Sequence, residues 1–279
     1  MSAIARKVIY IVGLSHSGST ILDMLLTTSR KAVGLGQVWT VLCEDPGRRE
    51  ARQCSCGRPA PECEMWGPIL GSLTDLPTQA GLANRYRIVL EQAATLYGSE
   101  IAVIDSSKQA CYLRSMTCEI ADLDLKVLHN MKDVRSFTIS ALNNSARKDR
   151  DRELPEKIFY KWYRDNRRLH DTVLRLIGAP PIRVMYEAVC LSKEVTTARL
   201  NEALSDHYID SDAALDSGHT HIISGNRTRL PEAGTNKRLV YDYQWLSRSE
   251  WLRPYILLPM VRRYNEQCLR DVGTSPGAT

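Results

Sequence analysis

The chain has 279 residues, of which 43% are hydrophobic, and a formal net charge of +5 at pH 7. This composition can bury one large core, which excludes a disordered tail, and the mild positive charge suits an anionic small molecule better than nucleic acid. The apolar runs are too short to cross a bilayer, so we expect one cytoplasmic domain over residues 1–279, with no membrane or nucleic-acid partner and an oligomeric state left open.

The first predicted element is a buried strand that leads through a loop into an apolar helix, over residues 8–26. The loop follows the phosphate-binding pattern G-x-x-x-x-G-K-[ST] from Gly13 to Thr20, except that Ser19 replaces the lysine. In nucleoside triphosphatases that lysine contacts the terminal phosphates, so its loss argues against ATP or GTP as the substrate. The loop amides and the helix N-terminus still predict a site for a single phosphate.

A short strand at residues 32–35 precedes a segment rich in Cys, Pro, Gly and Arg at residues 43–78, which we interpret as an irregular insertion. Long loops in compact domains are usually functional, so the insertion is a candidate wall of the acceptor site. The spacing of Cys54, Cys56 and Cys63 is looser than that of paired zinc ligands, and the composition does not suggest a disulfide scaffold. We favour reduced thiols over a disulfide or a zinc site, without excluding either.

The rest of the chain alternates between strand and helix patterns. Buried strands are predicted at residues 100–108, 125–130 and 182–186, and helices at residues 79–97, after Lys108, after Asp133, at residues 153–177 and at residues 248–269. Pro254 and Pro259 predict a kink or a break in the last helix. This alternation predicts an α/β fold with three layers and a mostly parallel central sheet, in which polar residues at the carboxyl ends of strands form the active site.

Three segments, in their order along the chain, resemble the sulfotransferases that use 3′-phosphoadenosine-5′-phosphosulfate (PAPS). Residues 16–20 are similar to the loop [KR]-S-G-[ST]-T, with His16 at the usual basic position. Residues 100–140 contain an Asp-Ser-Ser-Lys element and a segment similar to R-D-P-R-x-x-x-x-S, and residues 221–227 are similar to H-x-x-S-G-N-[PR]. The resemblance implies the phosphate-loop fold of sulfotransferases, PAPS as sulfuryl donor, a small-molecule acceptor and no obligatory metal.

The same resemblance implies which residues bind the donor. These are Ser15, His16, Ser17, Gly18, Ser19 and Thr20 for the 5′-phosphosulfate, Lys132 and Ser140 for the 3′-phosphate, and Gly225, Asn226 and Arg227 in a loop that covers the nucleotide. Lys132 stands where the family usually has arginine. Lysine keeps the positive charge but lacks the two-pronged hydrogen bonding of a guanidinium, so we expect less strict recognition of the phosphate.

Catalysis of sulfuryl transfer is expected to need stabilisation of the charge that builds on the leaving oxygen. The resemblance implies this role for Lys108 and His16, whereas Asp105 either takes part in proton transfer or orients Lys108. The general base stays open, because Gln37 occupies the place of a glutamate in tyrosylprotein-type relatives and a neutral amide cannot accept the proton. Candidates are Asp105, His16, Glu44 and Asp45; an amine acceptor would need less activation, so O- and N-sulfation both remain open.

Two other interpretations belong to different functional classes. One is a phosphate-loop kinase or nucleotide hydrolase, in which Asp105 would bind Mg²⁺ at the end of its strand. The other is a non-catalytic nucleotide-binding protein that uses the Cys-rich insertion as a partner surface.

Overall fold

The computed structural model describes residues 4–76, 81–147, 153–230 and 237–273. In this part of the chain, six parallel strands form one sheet with the order β5-β4-β1-β3-β2-β6. The strands are β1 (Lys7–Gly13), β2 (Ala32–Gly34), β3 (Ala102–Lys108), β4 (Asp124–Met131), β5 (Ile182–Met185) and β6 (His219–Thr220). The predicted α/β fold with a parallel sheet is therefore confirmed.

Alternating side chains of β1 enter two different hydrophobic layers, because successive residues of a strand point to opposite faces. Tyr10 packs in a cluster that includes Trp39 and Trp66. Ile9 packs in a second cluster, which includes Leu22 of the helix after the loop. The sheet is thus covered by helices on both faces, which is the three-layer arrangement that the sequence predicts.

The described helices vary in length from one turn to more than six. They are α1 (Ser19–Leu25), α2 (Val38–Cys43), α3 (Pro46–Glu50), α4 (Trp66–Asp75), α5 (Leu82–Tyr97), α6 (Cys111–Glu119), α7 (Val134–Arg147), α8 (Pro155–Ile177), α9 (Tyr186–Leu191), α10 (Lys193–Ala203), α11 (Leu252–Leu257) and α12 (Pro259–Gly273). Among the described residues, none of these helices combines the length and the apolar character that crossing a membrane requires.

The helices correct one sequence prediction in detail and confirm another. The insertion at residues 43–78 is only partly irregular, since it contains α3 and α4. Helix α4 forms there because Trp66, Ile69, Leu70 and Leu73 lie on one buried face. The break predicted in the C-terminal helix is confirmed at Pro259, where the chain divides into α11 and α12. Proline cannot donate the backbone hydrogen bond that a continuous helix would need there.

Candidate functional site

A cleft of about 800 Å³ opens at the carboxyl ends of β1 and β3. Ligand sites in open parallel sheets lie in this position, and the volume falls within the range of small-molecule pockets. The lining residues come from the loop after β1, from β3, from α7 and α8, and from the loop that precedes residue 230: Leu14, Ser15, His16, Gly18, Ser19, Thr20, Ile21, Gln37, Lys108, Phe137, Ala141, Asn144, Ser145, Glu153, Ile158, Lys161, Asp165, Gly225, Asn226 and Thr228.

Hydrogen bonds from the end of β4 and within the loop itself fix the conformation of the loop between β1 and α1. Asn130, at the end of β4, donates from Nδ2 to the carbonyl oxygen of Ser17 at 2.9 Å, and the Ser17 hydroxyl donates to the carbonyl oxygen of Leu14 at 2.8 Å. Ser17 is therefore buried and does not line the cleft. A side chain at Gly13 would approach the carbonyl oxygen of Asn130 to 2.4 Å, so this position requires glycine.

The loop also presents main-chain donors to the cleft. Gly18 adopts φ 87° at the N-cap of α1, a conformation that favours glycine, and the helix begins at Ser19. The first amides of a helix have no partner within the helix, and its dipole attracts negative charge. The arrangement can thus bind a phosphate through main-chain groups, although Ser19 provides no positive charge.

His16 and Lys108 share an unusual backbone conformation. Both line the cleft, and their φ angles are 73° and 72°, in the left-handed region that non-glycine residues rarely adopt. Such strain tends to occur at functional sites, where the surrounding structure imposes it. The strain at Lys108 turns the chain at the carboxyl end of β3, at the edge of the cleft.

Lys108 faces the cleft in a half-buried position, and burial lowers the pKa of its ammonium group. Among the described residues, no ion pair joins it to Asp105, so the sequence expectation that Asp105 orients Lys108 finds no support in direct contact. An ammonium group that borders a cleft and has no counter-ion within the described part of the chain is well suited to stabilise an anionic ligand.

Asp105 lies beneath the cleft and does not line it. Its Oδ1 accepts hydrogen bonds from the amide of Ser107, at 2.9 Å, and from the Ser107 hydroxyl, and the side chain is fully buried. Burial raises the pKa of this carboxyl to about 7. The carboxyl thus ties together the end of β3 and, unlike Lys108, is not among the residues that line the cleft.

Asp23 is a buried residue of α1 that the sequence analysis missed. Its Oδ2 accepts hydrogen bonds from the amide of Gly36 at 3.1 Å and from the hydroxyl of Ser106 at 2.8 Å. Burial raises the pKa of this carboxyl to about 8. Asp23 therefore connects the helix after the loop to the ends of β2 and β3. An ionisable residue within the apolar run at residues 21–26 is the sequence signal that could have indicated this buried role of Asp23.

Lys132 and Ser140 lie together beside the cleft. The buried Lys132 Nζ donates to Ser140 Oγ at 3.1 Å and to Asp242 Oδ2 at 3.2 Å. It also lies 4.8 Å from the centre of the Tyr186 ring. The same ring leaves no room for a side chain at position 18 of the loop, because a Cβ atom at Gly18 would approach Tyr186 to 2.7 Å. Tyr186 therefore lies against both the phosphate loop, at Gly18, and the ammonium group of Lys132.

The segment around Asp242 is hydrogen-bonded to the hydroxyl group of Tyr186. The Tyr186 hydroxyl donates to the carbonyl oxygen of Val240 at 3.2 Å and accepts from the amide of Asp242 at 3.2 Å. Asp242 thus places a carboxylate on the ammonium group of Lys132, where the sequence predicts a phosphate. The sequence analysis missed Asp242, and no motif pointed to it.

The loop at residues 221–229 packs against the start of α1. The amide of Asn226 donates to Thr20 Oγ1 at 3.3 Å, and Gly225 and Asn226 line the cleft. Arg227 is exposed at the start of a 3₁₀ turn and does not line it. Its neighbour Arg229 instead holds the loop, through hydrogen bonds to carbonyl oxygens such as that of Ile222 at 3.1 Å.

The predicted acceptor-side residues are divided between the cleft and the surface. Gln37 lines the cleft, but Glu44 and Asp45 do not. Both carboxylate oxygens of Glu44 accept hydrogen bonds from Arg52 at 2.8 Å, and this contact lowers the pKa of Glu44. Asp45 is exposed before α3. Neither carboxylate is in a position to act as general base, because neither reaches the cleft.

Two other carboxylates line the cleft within the described part of the chain. Glu153 lies just before α8, and Asp165 lies within α8. Asp165 accepts a hydrogen bond from Arg164 Nε at 2.8 Å. Phe137 and Ile158 provide the apolar surface near them. Sequence reasoning missed both carboxylates, because their helix shows only an ordinary amphipathic pattern.

Comparison with known proteins gave matches among solved structures alone. No protein-family model matches the chain, and no curated protein matches it significantly in sequence. A sulfotransferase domain of the Synechococcus olefin synthase has 17% identity and a TM-score of 0.47, over 87% of this chain and 82% of its own. A sulfotransferase domain from the curacin biosynthetic pathway has 14% identity and a TM-score of 0.48, over 93% and 98%. A Mycobacterium avium sulfotransferase has 13% identity and a TM-score of 0.44, over 95% and 77%.

Proposed function

We propose that this chain is a sulfotransferase that transfers the sulfuryl group of PAPS to a hydroxyl or amine of a small-molecule acceptor. The observation that carries the proposal is that two candidate anion sites both adjoin one residue, Tyr186. One site is the main-chain loop at residues 15–20, and the other is the Lys132–Ser140 pair. PAPS has phosphate groups at both the 5′ and the 3′ positions of one ribose, so it needs two anion sites at short range.

The electrostatics of the two sites support this assignment. The loop offers amides and a helix dipole, which suit one phosphate group without further charge. Lys132 offers a buried ammonium, and its contact with Asp242 indicates that the position accommodates an anion. In the proposed complex, the 3′-phosphate takes the place of the Asp242 carboxylate on Lys132 and Ser140.

The kinase or nucleotide hydrolase alternative has weaker support. Its Mg²⁺ ligand would be Asp105, but this residue is fully buried beneath the cleft and burial raises its pKa to about 7. A magnesium ligand needs an accessible ionised carboxylate near the phosphates. Ser19 also lacks the ammonium group that triphosphatases direct to the terminal phosphates.

The residues of the cleft can perform the proposed transfer. The acceptor atom forms a bond to sulfur while the bond from sulfur to the oxygen of the 5′-phosphate breaks, and the acceptor loses its proton. Lys108 stabilises the negative charge that moves onto the departing oxygen, and His16 lines the same side of the cleft. Glu153 and Asp165 are the carboxylates that can receive the proton, because they are the carboxylates that line the cleft in the described part of the chain.

A ligand comparison tests the proposal without knowledge of the acceptor. The desulfonated product PAP, 5′-AMP and ATP with Mg²⁺ are added separately to the protein, and the melting temperature is measured. A ligand that binds the folded state raises the melting temperature as its concentration exceeds its Kd. We expect PAP to stabilise the protein most, both with and without Mg²⁺. Stabilisation by ATP with Mg²⁺ but not by PAP would contradict the proposal and favour a kinase or hydrolase.

A further inference from the structure

The Cys-rich insertion contains a cluster of potential metal ligands outside the cleft. The side-chain donor atoms of Cys54, Cys56, Cys63 and His221 all lie within 4.8 Å of one another. Three of these residues are buried, and Cys56 is exposed. We call these four residues the Cys₃His cluster. None of them lines the cleft described above.

The distances within the cluster suit a tetrahedral zinc ion. Bond lengths of about 2.3 Å to sulfur and about 2.0 Å to nitrogen place neighbouring ligand atoms roughly 3.5–3.8 Å apart in a tetrahedron. Cys54 Sγ and Cys63 Sγ are 3.5 Å apart. His221 Nδ1 lies 3.2 Å from Cys63 Sγ and 3.9 Å from Cys54 Sγ. Side chains that merely fill a hydrophobic core have no need to bring three sulfur atoms and one imidazole nitrogen together.

The other nitrogen of His221 has the partner that a metal-bound histidine requires. Tyr97 Oη lies 2.7 Å from His221 Nε2. A hydrogen bond from Nε2 to Tyr97 leaves the lone pair of Nδ1 free to point at the sulfur atoms, and such a second contact usually orients a ligating histidine. The Glu64 carboxylate lies on the same side of the ring, 3.7 Å from Nε2.

The surrounding contacts fix the cluster at the junction of two remote segments. The amide of Ser55 donates to the carbonyl oxygen of Ile222 at 3.1 Å, and the amide of Ile222 donates to Ser55 Oγ at 2.8 Å. Trp66 Nε1 donates to the carbonyl oxygen of His221. These bonds join the insertion to the first residues of the loop that contributes Gly225 and Asn226 to the cleft.

We propose that the Cys₃His cluster binds one Zn²⁺ ion as a structural site. All four positions of the tetrahedron are filled by protein, so no position remains for a substrate, and the ion stabilises the fold rather than taking part in the reaction. By connecting Cys54, Cys56 and Cys63 to His221, the ion holds the insertion against the loop at residues 221–229. The inference does not depend on the proposed transferase activity.

This assignment replaces the expectation of reduced, metal-free thiols. Sequence spacing disfavoured zinc because the cysteines of the insertion, Cys43, Cys54, Cys56 and Cys63, are not arranged in two close pairs. The fourth ligand lies 158 residues after Cys63 in the sequence. Only the folded chain brings His221 to the sulfur atoms.

The metal content of the purified protein tests the site. The full chain is expressed in zinc-supplemented medium, purified in the presence of a thiol reductant and analysed by inductively coupled plasma mass spectrometry. We expect about one zinc ion per chain. Cys56→Ser should lose most of the zinc, and because Cys56 is exposed this variant should still fold. Cys118→Ser, which changes another exposed cysteine outside the cluster, should keep it.

Cobalt substitution provides a second measurement that needs no variant. Co²⁺ in a tetrahedral site with thiolate ligands gives strong visible absorption and a sulfur-to-metal charge-transfer band in the near ultraviolet. We expect both bands at one Co²⁺ per chain and their loss on addition of Zn²⁺. A protein that binds neither metal in its folded, reduced form would overturn the proposal. Detection of a Cys54–Cys63 disulfide in the protein purified without reductant, with no bound metal, would also overturn it.

Discussion

The two proposed anion sites that adjoin Tyr186 are built from different parts of the chain. In the proposal, the loop at residues 15–20 binds an anion through main-chain amides and a helix N-terminus, so its chemistry depends on backbone conformation more than on side chains. The second site depends on one buried ammonium group, that of Lys132, which already contacts Asp242. A main-chain site accepts a phosphate in many nucleotides, whereas a site built around one charge distinguishes ligands by the group placed on it. We infer that the loop provides affinity and that Lys132 provides selectivity for the 3′-phosphate.

The largest effect is expected at Lys108, which lines the cleft together with the loop after β1. In the proposed mechanism its ammonium group stabilises charge mainly in the transition state, so Lys108→Met should lower the rate on the order of 100- to 1000-fold. The measurement is release of sulfate from enzyme-bound PAPS in a single turnover with water as acceptor. PAP affinity and melting temperature should change little. A normal rate in a folded Lys108→Met protein would remove this residue from the catalytic group.

The next prediction distinguishes the Lys132 site from the loop site by comparing two nucleotides, with and without a 3′-phosphate. Lys132→Ala should weaken binding of PAP by roughly 10- to 100-fold, because a lost charge-assisted hydrogen bond costs about 1.5–3 kcal/mol. Binding of 5′-AMP, which lacks the 3′-phosphate, should stay within about two-fold of the original by calorimetric titration. Lys126→Ala removes a lysine of β4, the strand that ends just before Lys132, and is the matched control. Equal weakening of both nucleotides would mean that Lys132 does not distinguish them.

A smaller effect, in the opposite direction, is expected at Asp242. Its carboxylate competes with the 3′-phosphate for Lys132 and is about one-third exposed. Asp242→Asn removes that competition and should strengthen PAP binding by about two- to five-fold, as a partly exposed ion pair is worth about 1 kcal/mol or less. The affinity for 5′-AMP should not change. Weaker PAP binding in this variant would indicate that Asp242 supports the site instead of occupying it.

The last prediction concerns the support of the loop helix and affects stability, not ligand binding. Burial raises the pKa of Asp23 to about 8, while an unfolded aspartate titrates near 4. The folded state therefore keeps a proton that the unfolded state has lost between these pH values, so the free energy of unfolding falls as pH rises through this window. Asp23→Asn should make this decline shallower by up to about 1.4 kcal/mol per pH unit. Urea unfolding at several pH values measures the slope; equal slopes in both proteins would contradict the assignment.

The sequence predicted local structure better than contacts between distant segments. The strand, loop and helix over residues 8–26 and the ends of β3 and β4 follow from short motifs and apolar patterns, and the structure confirms these elements. Asp242 contacts Lys132 from 110 residues away, and His221 joins Cys63 from 158 residues away. Nothing near either residue in the sequence indicates these contacts. The burial of Asp105 could not be predicted for a related reason, since its place at a strand end does not reveal which neighbours cover it.

A crystal structure of the protein with PAP tests the central claim most directly. We expect the 5′-phosphate within hydrogen-bond distance of the amides of residues 17–20. We expect the 3′-phosphate on Lys132 and Ser140, with Asp242 displaced from Lys132. A bound PAP whose 3′-phosphate lies in solvent, while Lys132 keeps its contact with Asp242, would contradict the assignment of two anion sites to one nucleotide.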